Sequence, residues 1–277
     1  MRLGGPTFGE SDAPEKWIAQ VRRQGYRAAY CPVTADQPAD VIQAYEKAAR
    51  DADIVIAEVG AWSNPLSKDE KARLDAIGYC QKQLTLADAI GARCCVNITG
   101  SRGPKWDGPC AEDLTPGTFD LIVETVRTII DAVRPTRAFY AIETMPWMYP
   151  DSPDSYLQLL KTIDRPQLAV HLDPVNIVSS PQRFFNNAAL IRECFAKLGP
   201  WIQSCHAKDI ALGNKLTVHL DEVCPGLGGL DYRVYLTELA KLPADTTLML
   251  EHLQTEAEYA QAATHIRNVA KGNGILL

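Results

Sequence analysis

Four residues stand out for where they fall as much as for what they are. Glu143, Asp173, His206 and Glu251 each close a short apolar run: AFYAIE, LAVHLD, WIQSCH and TTLMLE. An ionisable group there is expensive to bury without a partner. Four brought to one place would repel and desolvate one another unless positive charge lay between them, and a divalent cation supplies that charge. Three carboxylates and one imidazole form a hard, oxygen-rich set, suited to Mn2+ first, with Mg2+, Co2+ or Zn2+ as alternatives. An octahedral ion on four protein ligands keeps two positions for adjacent substrate oxygens. Taken singly, each residue has a plainer reading: a solvated glutamate, a hydrogen-bonded core histidine, or an aspartate starting a turn before Pro174. Their spacing favours the joint reading. The steps are 30, 33 and 45 residues; the first two match one strand-helix-strand repeat, and the third exceeds it by about the length of a hairpin. A buried lysine or arginine occupying that pocket in the ion's stead would end the joint reading.

The elements that must position these residues alternate along the whole chain. Strands are expected at Arg2–Gly5, Tyr26–Val33, Asp53–Val59, Ala92–Thr99, Ala138–Thr144, Leu168–Asp173, Trp201–Lys208 and Thr246–Glu251. Helices are expected at Ala13–Gln24, Ala39–Arg50, Lys68–Ile90, Gly117–Val133, Ser152–Ile163, Asn187–Leu198, Arg233–Lys241 and Glu256–Ala270. Eight βα units without a linker or composition break predict an α/β fold, a single (β/α)8 TIM barrel over residues 1–277. A small hairpin insertion is expected at about 212–230, formed by Leu216–His219. An open doubly wound sheet fits less well, since Gly4-Gly5-Pro6 does not supply GxGxxG after the first strand. In a barrel of this kind catalytic groups gather at the C-terminal ends of the strands, where all four residues fall.

Composition narrows the function classes. The 277 residues carry 28 Lys+Arg against 34 Asp+Glu, a net charge of −6, and no basic stripe. That balance disfavours nucleic acid as a partner. No run approaches the roughly 18 apolar residues of a membrane span, and MRLGGPTFGE has no apolar leader core, so the cytoplasm is expected. The eight cysteines form no CxxC pair and are expected to be reduced thiols. Homo-oligomerisation is left open.

Other residues at the same end have weaker claims. His171 lies two residues before Asp173, so alternation points both into the barrel, where His171 would support a ligand rather than be one. Glu58 and Asn97 end the third and fourth strands and are candidates for substrate hydroxyls, with a surface pairing as the plainer outcome. Trp62, Trp106 and Trp147 lie on loops at that face, where an aromatic ring stacks on a sugar or simply anchors its loop. His219, His252 and His265 are read as structural, with His252 pointing outward because Glu251 points in.

The runs IET (142–144), HLDPVN (171–176), CHAKD (205–209), PGLGGLDY (225–232) and LEH (250–252) together resemble the sugar-phosphate isomerase/epimerase family with the xylose isomerase-like barrel. Tagatose 3-epimerase-type enzymes and inosose dehydratase belong to that group. EVGAWSNPL and LADAIGA fit the pattern as well, and the resemblance runs through nearly the whole chain. It implies Glu143, Asp173, His206 and Glu251 as metal ligands, with Glu143 and Glu251 flanking the substrate and exchanging protons with carbon through an enediolate. The implied partner is a small sugar-like molecule. Two departures are visible. A histidine usual three residues after the second ligand is here Asn176, and the arginine usual after the metal-binding histidine is missing, leaving Lys208 to supply its charge or to pair with Asp209. Asn176 and Lys208 are therefore expected to contact substrate. The departures keep a lyase or dehydratase outcome beside the isomerase one. A DNA-repair endonuclease on the same barrel would need three metals and more than the five histidines present. A non-catalytic barrel would leave the four ligands idle.

Overall fold

Apolar residues recurring every third or fourth position give the helices one buried stripe, and short β-rich runs between them give strands buried on both faces. In the computed structural model, which describes all 277 residues, the strands are β1 (Arg2–Gly5), β2 (Ala28–Tyr30), β3 (Val55–Gly60), β4 (Cys94–Asn97), β5 (Phe139–Glu143), β6 (Leu168–Leu172), β7 (Ile202–Ala207), β8 (Asp209–Leu212), β9 (Leu220–Val223) and β10 (Thr247–Leu250). All but β8 and β9 close into one parallel barrel in the order β1-β10-β7-β6-β5-β4-β3-β2. The helices are α1 (Pro14–Arg23), α2 (Ala39–Asp51), α3 (Glu70–Ile90), α4 (Pro116–Val133), α5 (Pro153–Ile163), α6 (Pro181–Phe185), α7 (Asn187–Leu198), α8 (Tyr232–Leu239) and α9 (Glu256–Gly272).

Local chemistry explains most boundaries. Proline at the first turn and a hydroxyl cap start α4 and α5: Thr115 accepts from the Thr118 amide, and Ser152 from the Ser155 amide. Gly91, at φ 72°, ends α3. On α4, Phe119, Ile122, Val123, Val126, Ile129 and Ile130 form the buried stripe, each contributing roughly 1.5–3 kcal/mol of transfer free energy.

The core is split by the barrel wall. Outward-facing strand residues and the helices share the large cluster, whereas the lumen holds small groups: Cys94, Val96, Ala141 and Ala169 on one side, Ala28, Ala57 and Met249 on the other. The lumen is narrow at Gly4, where a Cβ would come within 2.6 Å of the Met249 sulfur. Pairing between β2 and β3 skips Ala57, matching Ala29 to Ile56 and Tyr30 to Glu58. Ile56 faces the helices, so strict alternation would send Glu58 there too. The extra residue turns it into the lumen.

Several expected boundaries move. The strand expected over 26–33 is only Ala28–Tyr30, and that expected over 92–99 is Cys94–Asn97. The loop before α7 contains the short helix α6, capped by the Ser180 hydroxyl. The hairpin is built by β8 and β9, beginning at Asp209, and residues 216–219 lie in its turn rather than forming it. All eight cysteines are free, and no helix is long and apolar enough to cross a membrane.

Candidate active site and metal centre

The strand-end residues meet. Alternation on β5, β6, β7 and β10 points Glu143, Asp173, His206 and Glu251 at one spot at the C-terminal mouth, where one ligand atom from each lies within 4.8 Å of the others. His206 is fully buried, with Nδ1 3.0 Å from Glu143 Oε1, 2.8 Å from Glu251 Oε1 and 3.8 Å from Asp173 Oδ2. Its other nitrogen, Nε2, faces Glu58 Oε2 at 3.4 Å. Asp173 is steered by its turn, Oδ1 accepting from the Val175 amide at 3.0 Å.

Alternation also carries Lys208, two residues after His206, into the same space. Its side chain is buried, and Nζ lies 2.6 Å from Glu251 Oε1, 2.8 Å from Asp173 Oδ2 and 3.6–3.7 Å from Glu222 and Glu143. The pairing with Asp209 is not found, and Lys208 borders the cavity. A buried lysine standing in for the ion would end the metal reading, so the fit turns on whether Lys208 alone satisfies the charge and the donors.

One ammonium does not balance the site. Glu58, Glu143, Asp173 and Glu251 are all buried or nearly so, and like charges in a low dielectric are costly. Lys208 reaches ion-pair distance without hydrogen-bonding geometry, leaving Asp173 Oδ2 and Glu251 Oε1 buried with no hydrogen-bond partner. The protonation states record the strain. Burial pushes the Asp173 carboxyl up to about 6, with Glu143 and Glu251 adding to the rise and Lys208 and His206 opposing it. Burial also raises Glu143 and Glu251, but His206 and Lys208 outweigh it and hold both below the usual range. Burial would lower His206, yet Glu251, Glu143 and Glu58 raise it well above the ordinary value. Three carboxylates aimed at one imidazole nitrogen, with orphaned oxygens between them, form a donor set that fits a divalent ion. Lys208, on a flexible stem, shares the space as a further positive charge.

A layer of polar partners lies beneath. Glu58 Oε1 meets His171 Nε2 at 2.8 Å and accepts from the Ser204 hydroxyl, and Ser204 in turn accepts from Thr247 at 2.7 Å. His171 thus touches Glu58 and packs edge-on against His206, 4.1 Å between ring centres. Glu58 borders the cavity and is buried against two imidazoles, so the expected surface pairing is not found.

The remaining candidates divide. Asn176 borders the cavity and donates to Glu143 Oε1 at 3.2 Å and to the Thr144 carbonyl at 3.0 Å. Trp106 and Trp62 line the mouth. Asn97 does not: β4 turns it away from the lumen, toward Ser63 and Cys80 of α3. Trp147 also stays out, anchoring a loop through its indole N–H to the Asp107 carbonyl at 3.1 Å. His252 is not outward-facing in the sense expected. Its backbone, at φ 59°, is left-handed, and the ring sits at the rim with Nδ1 3.1 Å from Glu222 Oε1.

The lining residues missed include Tyr30, Asp107, Met145, Glu222 and Tyr259. The strand-end rule applied to β2 would have found Tyr30. Tyr259 comes from α9, where no strand-end signal reaches.

No curated protein sequence matches the chain. Among solved structures, it resembles D-psicose 3-epimerase with D-tagatose from Clostridium cellulolyticum H10, at 14% identity over 100% of both chains with TM-score 0.71. It resembles the probable 3-DHS dehydratase AsbF of petrobactin synthesis from Bacillus anthracis at 17% identity over 98% of this chain and 99% of that one, TM-score 0.69. Endonuclease IV from Thermus thermophilus is as similar, at 14% identity over 98% and 100%, TM-score 0.72. Likeness at these identities is one of fold, and that fold serves different reactions. The sequence profile of one family matches residues 18–269, most of the length; the chain belongs to the xylose isomerase-like TIM barrel family.

Proposed function

We propose that this chain is a divalent-metal-dependent isomerase or epimerase that moves a proton at the carbon next to a carbonyl of a sugar or sugar derivative. The observation that carries the reading is the convergence of Glu143, Asp173, His206 and Glu251 within 4.8 Å at the barrel mouth. When bound there, the ion supplies positive charge beside adjacent substrate oxygens, which stabilises the negative charge left by proton removal. The chain's residues do the rest. Glu58 takes the Nε2 side of His206 and fixes Nδ1 toward the ligand position. Glu143 and Glu251 end β5 and β10, which are separated in the barrel by β6 and β7, so they approach the cavity from different directions. Both are held ionised and are the two candidate bases. Lys208 offsets part of the excess negative charge, and Asn176 orients Glu143.

A lyase or dehydratase outcome on the same groups is the second reading. Asn176 favours it: its amide donates to Glu143 Oε1 but, unlike a histidine at that place, relays no proton to or from it. Incubation with Mn2+ and candidate ketoses in D2O separates the outcomes. Deuterium uptake with mass otherwise retained supports isomerisation; loss of water or of a substituent supports elimination. Elemental analysis tests the ground beneath both. If the purified protein holds no stoichiometric metal after Mn2+ soaking, Lys208 is the site's own cation and the barrel is a metal-free binding protein.

A further inference from the structure

The cavity above the four ligands has a volume of about 460 Å³. That is within the about 300–1,000 Å³ of sites for drug-sized ligands, more room than one sugar ring needs. Its lining is sharply unequal in charge. Glu58, Asp107, Glu143, Glu222 and Glu251 face it, against Lys208 and His252. Neither cation is free: Lys208 lies among the carboxylates and His252 on Glu222. No arginine borders the space. Such a cleft repels anions before they arrive.

The place where a barrel of this kind could grip phosphate is already filled. The glycine-rich loop after β9 turns its amides inward as an anion-binding nest. The guest is the protein's own Asp209: Oδ2 accepts from Gly226 at 2.9 Å and Gly228 at 3.0 Å, and Oδ1 from Leu230 at 2.9 Å and Ile210 at 2.8 Å. A Cβ at Gly228 would fall 2.3 Å from Asp209 Oδ1, so the loop is closed directly on that carboxylate.

The outer walls are aromatic. Trp62 and Trp106 stay 42% and 37% exposed at the mouth, and Tyr30 and Tyr259 line the space below with their hydroxyls engaged by backbone. Trp62 is seated over Gly60, where a side chain would meet its indole nitrogen at 2.6 Å. The Trp106 loop is fixed by Asp113, which accepts from Ser101 Oγ at 2.6 Å and the Arg102 amide at 2.7 Å. Exposed rings on anchored backbone are preorganised for a flat apolar partner.

We infer that the site takes an uncharged, unphosphorylated polyhydroxylated ring carrying a flat apolar substituent, the hydroxylated part over the acidic floor and the substituent between Trp62 and Trp106. This deepens the proposed function, resting on it only in taking the polar part to be sugar-like.

Calorimetry on the full chain, with and without Mn2+, tests it using 4-nitrophenyl and methyl β-glycosides of glucose, galactose and xylose, with glucose 6-phosphate as the anionic probe. For at least one sugar the aryl glycoside is expected to bind ten-fold or more tightly than the methyl glycoside, and the phosphate ten-fold or more weakly than methyl glucoside. Trp62→Ala and Trp106→Ala, with unaltered circular dichroism, should each cut the aryl preference at least three-fold and leave methyl-glycoside affinity in place. Equal affinity for aryl and methyl forms, tight phosphate binding, or no binding by any glycoside overturns the inference. A missing Mn2+ signal sinks the metal reading alone, because the glycoside ratio is read on metal-free protein too.

Discussion

The two ends of the barrel treat charge in opposite ways. At the N-terminal base, acids and bases are matched and wet: Arg2 pairs with Asp53 and Asp245 at 2.8 Å, Arg27 also pairs with Asp53, and Arg137 reaches Glu46 at 2.8 Å. Asp88 accepts from the amides of Thr136, Arg137 and Ala138 at 2.6–3.0 Å, tying α3 to the start of β5. At the C-terminal mouth, carboxylates outnumber cations, are mostly dry, and leave oxygens without hydrogen-bond partners. One end uses its charges to hold the chain together. The other keeps an imbalance of the kind found where stability is exchanged for function.

Substitutions at each end should therefore move different observables. The largest effect is expected at the mouth: Glu251→Gln or Glu143→Gln should lower kcat by about 10²–10⁴-fold, the usual worth of a positioned base, while Mn2+ affinity falls less because an amide oxygen remains. Full activity in either variant would remove the acid/base assignment. Next comes the metal itself. Mn2+ at 100 times its Kd should stabilise the fold by about 2.7 kcal/mol, seen as a higher Tm, and His206→Ala should abolish that increment. An unchanged melting curve would mean that the mouth does not select for cations.

At the base the readout reverses. Asp88→Ala should cost about 1–2 kcal/mol through three lost amide partners and leave kcat untouched; a comparable fall in kcat would show that the two ends are not separable. The smallest effect belongs to Asp53, which Arg2 first and Arg27 second hold down to about 2. Its folded-state value lies below the unfolded one, so its contribution is present above pH ~3.9 and disappears as pH falls through about 2. Asp53 is exposed, and the contribution is small and screened. Asp53→Asn should slightly flatten the fall in Tm between pH 4 and pH 2; an identical acid profile would mean that these surface pairs are idle.

Much of this was legible in the sequence because barrel architecture turns strand ends into a list of site residues. Glu143, Asp173, His206 and Glu251 follow that rule without exception, and period-2 alternation placed His171 correctly beneath Asp173. The same alternation, not carried forward from His206, would have put Lys208 among the ligands. Asn97 failed because it falls one residue out of phase with Val96, which faces the lumen. Glu222 and the true start of the hairpin were invisible, since β8 follows β7 after a single residue and reads as its continuation. Asp209 is the clearest case of a partner no local pattern reveals: three of its four amide donors lie 17 to 21 residues away, and only folding shows that PGLGG exists to enclose it.

Ala57 contributes little as a side chain, yet its presence sets the phase of everything after it on β3. A relative shorter by that one residue would pair regularly and still turn the glutamate inward, whereas one that kept the residue without the bulge would send the glutamate toward the helices and leave His206 with nothing behind it. At this spot one skipped pairing decides which side of the wall a carboxylate occupies, so an alignment that matches the letters without the bulge would transfer the wrong role.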